Sequence, residues 1–145
     1  MKAFQKVVAV LLLIVAPFIV VAQQQEDPWK PDQLMEPADL AQKIENNATN
    51  VYIFNIGPAG NIKNAIEIGD GRDEASQTNF AEQISKLSKD AEIVIYCGCC
   101  PFVNCPNIRP IFNTLNEQQF VNHKLLNLPK NLKVDWIDKG FPMSK

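Results

Sequence analysis

The stretch Glu92-Ile-Val-Ile-Tyr-Cys97-Gly-Cys99-Cys100-Pro-Phe-Val-Asn-Cys105-Pro-Asn107-Ile-Arg109 leads from an apolar run, through four cysteines, into a second apolar pattern. Its first part is short, β-branched and aromatic, the composition of a strand buried on both faces. Beyond the cysteines, Ile108, Phe112 and Leu115 recur at the spacing of one helix face. Asn107 stands where a helix cap is expected, and Pro110 falls within the first turn, where its missing N–H is tolerated. Strand, loop and helix in that order put Cys97 at the carboxyl end of a strand. Open α/β sheets build their sites there.

On the amino-terminal side, residues 37–46 open with proline and carry Leu40, Ala41 and Ile44 at helical spacing. Val51-Tyr-Ile-Phe-Asn-Ile56 is a second strand pattern, stopped by Gly57-Pro58, and residues 66–68 make a shorter one. Phe80, Ile84 and Leu87 mark a helix over 74–87. On the carboxyl side, residues 123–128 are strand-like and 132–138 form a short terminal helix. This alternation predicts an α/β fold: a small, mostly parallel sheet of about five strands flanked by helices on both faces. The chain of 145 residues holds one such domain, expected over 34–145, and shows no internal repeat.

The four cysteines crowd one loop, whereas a disulfide framework would spread them so that bridges close long loops. Such crowding points to local chemistry, either thiol reactivity or a metal. Loop N–H groups from Gly98 onward, with the positive end of the following helix, suit a thiolate or persulfide and lower a thiol pKa. Gly98 and Arg109 are thus the expected anion-binding residues, Arg109 by its fixed charge in the first turn; its plainer role is a solvated surface charge. Cys97 is the expected nucleophile. Cys99, Cys100 and Cys105 are accessory thiols that could attack a sulfur on Cys97 or lock it in a disulfide, while Cys105 also suits a small buried side chain. The sole histidine, His123, lies on a predicted strand far in sequence from the loop and reads as structural rather than as a base.

Three elements together resemble the rhodanese family. Tyr96-Cys97 with its loop and helix resembles the family's active loop, and Asp135-Trp136-Ile-Asp-Lys139-Gly140-Phe-Pro142 its terminal tryptophan-glycine-proline signature. Gly60-Asn-Ile62-Lys-Asn-Ala65-Ile66 matches the family's Gly-His-Ile-Pro-Gly-Ala-Ile element at its glycine, isoleucines and alanine. The matches run in the family's order over residues 34–142. The resemblance implies a sulfurtransferase in which Cys97 attacks the outer sulfur of a small donor anion, carries it as a persulfide and passes it to a thiol acceptor or cyanide. It implies no cofactor and no metal. The departures are equally specific. Asn55-Ile56-Gly57 replaces the family's Asp-Val-Arg, Asn61 its histidine, and Asn131-Leu132 the glycine pair before the tryptophan. The loop is also longer than the family's and carries three additional thiols.

Two rival readings share the loop. A thioredoxin-like dithiol oxidoreductase would use the C-x-x-C of Cys97 and Cys100, with Pro129 facing it, but the prolines at 101, 106 and 110 oppose a helix starting at Cys100. A non-catalytic module, metal-binding or purely structural, is the other, although C-x-C-C-x4-C is no standard zinc spacing.

The formal charge of −2 comes from interleaved acids and bases, without the basic stripe a nucleic-acid partner requires. Lys2 and Lys6 precede an uncharged run over 7–22 that ends Val20-Val21-Ala22, the pattern of a secretory signal peptide and short for a membrane span. Residues 1–22 are therefore expected to be cleaved, leaving a periplasmic or secreted chain without stable membrane contact. The polar, aperiodic residues 23–33 read as a flexible leader, on which Trp29 alone is suited to pack.

Overall fold

The computed structural model describes residues 26–145, so the expected signal segment lies outside it. Five strands, β1 (Leu34–Met35), β2 (Val51–Asn55), β3 (Ala65–Glu67), β4 (Glu92–Tyr96) and β5 (His123–Leu126), form one sheet. Its order is β1-β5-β4-β2-β3 and every pairing is parallel. The helices α1 (Pro37–Glu45), α2 (Glu74–Ile84), α3 (Ile108–Glu117) and α4 (Leu132–Asp135) are the crossovers and the closing element.

A parallel sheet has to be covered on both faces, and the period of two in β4 divides its side chains between two cores. Ile93 and Ile95 join Phe80 and Ile84 of α2 and Ile108, Ile111, Phe112 and Leu115 of α3. Val94 and Tyr96 join Leu40, Ala41 and Ile44 of α1, with Leu132 and Trp136 at the end of the chain. β4 lies in the middle, bonded to β2 and β5, so the residue that follows it emerges at the centre of the sheet's carboxyl edge.

One strand is added to those read from the sequence and two expectations are adjusted. β1 has only two residues, too few to show a period, and exists because Leu34 and Met35 pair with Leu125 and Leu126. α2 stops at Ile84, and Leu87 closes a turn by donating its N–H to the Ile84 carbonyl. The segment read as a flexible leader is packed from Trp29 onward. Trp29 is buried edge-on against Phe102 and Phe112, and a 3-10 turn over Pro31–Gln33 leads directly into β1. Among the described residues no helix is long and apolar enough to cross a membrane.

Candidate functional site

β4 delivers Cys97 to the sheet edge, and Gly98 then turns the chain sharply at φ +75°. A side chain there would be strained by that φ and would also meet Leu132 Cβ at 2.8 Å. The Gly98 carbonyl accepts the Leu132 N–H at 2.8 Å, which pins the turn to α4. The turn folds Cys99 back on its neighbour, with the two Sγ atoms 3.2 Å apart. Cys105 approaches from the far side of the loop, and the Sγ atoms of Cys97, Cys99 and Cys105 all lie within 4.8 Å of one another. Cys100 touches only the rim of this group, its Sγ 3.4 Å from that of Cys99. All four are free thiols.

The Cys97 sulfur is encircled by donors. Asn107 directs its Nδ2 at it from 3.4 Å, and the Cys99 backbone N–H bonds it as well. The neighbouring Cys105 thiol is the largest influence on the Cys97 pKa. Against the cost of burial, and together with the donors from Cys99 and Asn107, it brings the Cys97 pKa down to about 6. The partners move the other way. Burial and the bond to Cys97 push Cys99 up to about 12, and the hydrogen bond that Cys105 gives to Cys97, with burial, raises Cys105 further. The arrangement favours a thiolate at Cys97 and protonated thiols at Cys99 and Cys105, with the Asn107 amide and the Cys99 backbone N–H facing the Cys97 sulfur.

Space at the site is set by Gly57. A Cβ there would stand 2.3 Å from the Cys97 sulfur, so the residue after Ile56 has to be glycine for that sulfur to occupy its place. Cys97 is 1% exposed and Cys105 0%, whereas Cys99 is exposed. Cys99 therefore covers Cys97 on the solvent side.

The expected site residues separate into those brought together and those that are not. Gly98 shapes the turn. The predicted cradle at the start of α3 serves a different sulfur, because the Asn107 N–H bonds Cys105 and the Cys97 sulfur receives the Cys99 N–H instead. Asn107 itself is no cap: it is helical in backbone, makes no capping bond, and spends its side chain on Cys97, leaving its buried Oδ1 without a partner. Arg109 is not free to grip an anion. It donates to the Val103 carbonyl at 3.1 Å, and the packed leader supplies its other partners, Asp27, with which it pairs, and Trp29, whose ring it lies over. His123 is buried at the opposite end of the sheet, paired in register with Ile93, and burial lowers its pKa. Trp136 is fully buried core, its Nε1 donating to the Pro142 carbonyl. The helix that a dithiol site would start at Cys100 is not there; α3 begins at Ile108.

The departures from the family pattern compensate one another. Asn55 donates to Asn61 Oδ1 at 2.9 Å and to the Ala59 carbonyl at 2.7 Å, and accepts from the Gly57 N–H, so two amides shape the loop beneath Cys97. Tyr96 ties that loop to β4 by donating to the Gly60 carbonyl and accepting the Ile62 N–H. Ile62 in turn bridges Met143, so the two outer segments that carry the resemblance meet in space.

The solution structure of a rhodanese-like domain from Anabaena superposes with a TM-score of 0.55 at 16% identity, covering 77% of this chain and 78% of that one. The fold is rhodanese-like. A full-length protein from Lactobacillus plantarum matches with a TM-score of 0.58 at 14% identity, over 79% of this chain and 88% of that one. A protein from Bacillus halodurans gives 0.55 at 19% identity, over 74% and 72%. No family model matches this sequence. No curated protein matches it either. At these identities the rhodanese-like likeness concerns the architecture, and the chemistry has to be argued from the cysteine loop.

Proposed function

We propose that this rhodanese-like domain is a sulfurtransferase whose Cys97 takes the outer sulfur of a small sulfane-sulfur anion. The observation that carries the reading is the Cys97 sulfur at the carboxyl end of the central strand, 3.2 Å from Cys99 Sγ, 3.4 Å from Asn107 Nδ2 and within 4.8 Å of Cys105 Sγ, surroundings that bring its pKa down to about 6. A lowered pKa keeps the sulfur ionised near neutrality, and no general base is then needed. With thiosulfate as donor, the Cys97 thiolate attacks the outer sulfur, the S–S bond of thiosulfate breaks, and sulfite leaves with the bonding electron pair. Cys97 is left as a persulfide anion. The donor reaches it once the Cys99 side chain swings aside, a motion confined to an exposed residue beside a glycine.

The test is sulfite release. Reduced protein mixed with thiosulfate is expected to liberate one equivalent of sulfite, and Cys97→Ser none. No sulfite from wild type with all thiols confirmed free would sink the reading. The partners proposed are thus a sulfur-donor anion and a thiol acceptor, met in the exported compartment that the amino-terminal pattern suggests. A second reading rests on the three clustered sulfurs, whose softness and spacing suit a thiophilic ion such as Zn(II) or Cu(I). Metal analysis of protein purified without chelators checks it: stoichiometric metal supports it and metal-free protein with reactive thiols does not.

A further inference from the structure

The persulfide formed on Cys97 would not wait for an outside acceptor, because the Cys99 thiol that swings aside to admit the donor has its resting place against it. We infer that Cys99 resolves the Cys97 persulfide, so that the domain releases the transferred sulfur as hydrosulfide and ends the half-reaction as a Cys97–Cys99 disulfide. This rests on the sulfur-loading reading above. It adds the identity of the resolving thiol, the product released and the class of reductant required.

The first support is distance. The two Sγ atoms are 3.2 Å apart, within the roughly 3 to 3.5 Å at which held groups react far faster than dilute partners. Gly98 makes this possible by reversing the chain between the two cysteines at a φ that a side chain would resist. The second is the proton. Burial first, then the bond to Cys97 and its negative charge, favour the protonated form of Cys99, so a proton is at hand for the sulfur that leaves. In the step, the Cys99 sulfur bonds to Cys97 Sγ and the bond from Sγ to the outer sulfur breaks. The outer sulfur departs with that electron pair and the Cys99 proton as HS⁻. The sulfane sulfur is reduced to sulfide and the two cysteine sulfurs are oxidised to the disulfide, so atoms, charge and electrons balance.

The third support is access, and it separates Cys99 from Cys105. Cys105 also belongs to the cluster, but it is 0% exposed, so a bridge from it to Cys97 would lie sealed in the core. Cys99 is exposed. A protein or small-molecule dithiol can attack the Cys99 sulfur of the disulfide, with Cys97 as the better leaving thiolate, and a second attack completes the exchange. The dithiol is oxidised to its own disulfide and both cysteines return to the reduced state.

The experiment uses the reduced full chain, free of oxygen and of added thiols, with thiosulfate as probe. Sulfite, sulfide, intact mass and the position of any disulfide are read for wild type, Cys99→Ser and Cys99→Ala. Wild type is expected to release one equivalent each of sulfite and sulfide, to become two hydrogens lighter, and to yield a peptide linking Cys97 to Cys99. Both variants lose a side-chain partner of Cys97 and are expected to release sulfite more slowly than wild type, but without sulfide, and to stay one sulfur atom heavier. Two variants at an exposed position guard against one that folds poorly. Wild type that releases sulfite but keeps the sulfur would overturn the inference and leave sulfur loading intact. Sulfide release with a bridge to Cys105 or Cys100 would overturn the assignment to Cys99. No sulfite from any form would remove sulfur loading and this inference together.

Discussion

A methyl group at position 57 would stand 2.3 Å from the Cys97 sulfur, and nothing flexible lies between them. Gly57→Ala is therefore expected to displace the sulfur from its donors, at a cost of about 1 to 3 kcal/mol of overpacking. Urea unfolding reads the loss, and sulfite release from thiosulfate should fall with it. The donors set the thiol's ionisation in their turn. Removing the leading one in Cys105→Ala should move the thiolate absorbance midpoint from near 6 toward the ordinary thiol range, and Asn107→Leu should move it less. The same shift makes stability depend on pH. A thiol whose folded pKa is depressed adds stability above its unfolded value, about 8.5, and loses it as pH falls through its folded pKa. Cys99 and Cys105, shifted upward, contribute below that unfolded value and lose their contribution only as pH rises beyond it. Between about pH 8.5 and 6 the slope belongs mainly to Cys97, buried His123 adding to it below about pH 6.5 in both proteins alike, so the stability gap between wild type and Cys97→Ser should narrow as pH falls across that interval when unfolding is followed at several pH values. A gap independent of pH would contradict the thiolate assignment.

At the scale of elements, what holds the site is the contact between β4, the loop beneath it and the start of α4. Tyr96 closes β4 onto that loop, and its buried hydroxyl satisfies the Ile62 N–H at 2.9 Å. Tyr96→Phe leaves this N–H unpaired in the core, and the expected loss is about 1 to 3 kcal/mol by denaturant unfolding, with little change in secondary structure. Asn131 accepts the Val134 N–H and starts α4, whose first residue Leu132 holds Gly98. Asn131→Ala should cost about 1 kcal/mol and loosen the cysteine turn, visible as faster hydrogen exchange at the Leu132 amide. Much of this framework was legible. Ile93 to Ile95, Val51 to Phe54 and the apolar faces of α1 and α3 announce themselves by composition and period, because burial against two layers leaves little choice of residue. The capping role expected of Asn107 was not realised, since a cap and a thiolate donor look alike in sequence, and only the position of Cys97 in space separates them. The pairing of Asn55 with Asn61 was likewise invisible, because two departures from a pattern compensate only where the fold brings them together.

Across the whole molecule, the central fact is that one face of the sheet is sealed by a segment with no pattern of its own. Residues 26–33 are polar and aperiodic, so nothing in their order distinguishes a tether from a packed strap; the difference is made by one tryptophan meeting a complementary surface. Trp29 lies 6.0 Å from Phe102 and 5.9 Å from Phe112, centroid to centroid, and the Arg109 guanidinium lies 5.2 Å from its ring centre. Arg109 also holds the Val103 carbonyl and Asp27, so the strap clamps the 3-10 turn over Phe102–Asn104 that ends at Cys105. Trp29 thereby reaches Cys97 at one remove, through the Cys105 sulfur that does most to lower the Cys97 pKa. Trp29→Ala is expected to cost about 3 kcal/mol or more, the range for a buried aromatic cut to a methyl. A merely structural loss would end there. If the strap also positions Cys105, the folded variant, kept in dilute buffer well below its unfolding midpoint, should show a raised Cys97 thiolate midpoint and faster alkylation of Cys105. Arg109→Gln should reproduce the second effect with a smaller loss of stability, because the ion pair it removes is partly exposed and screened. Unchanged thiol titration in a destabilised Trp29→Ala would confine the strap to holding the fold.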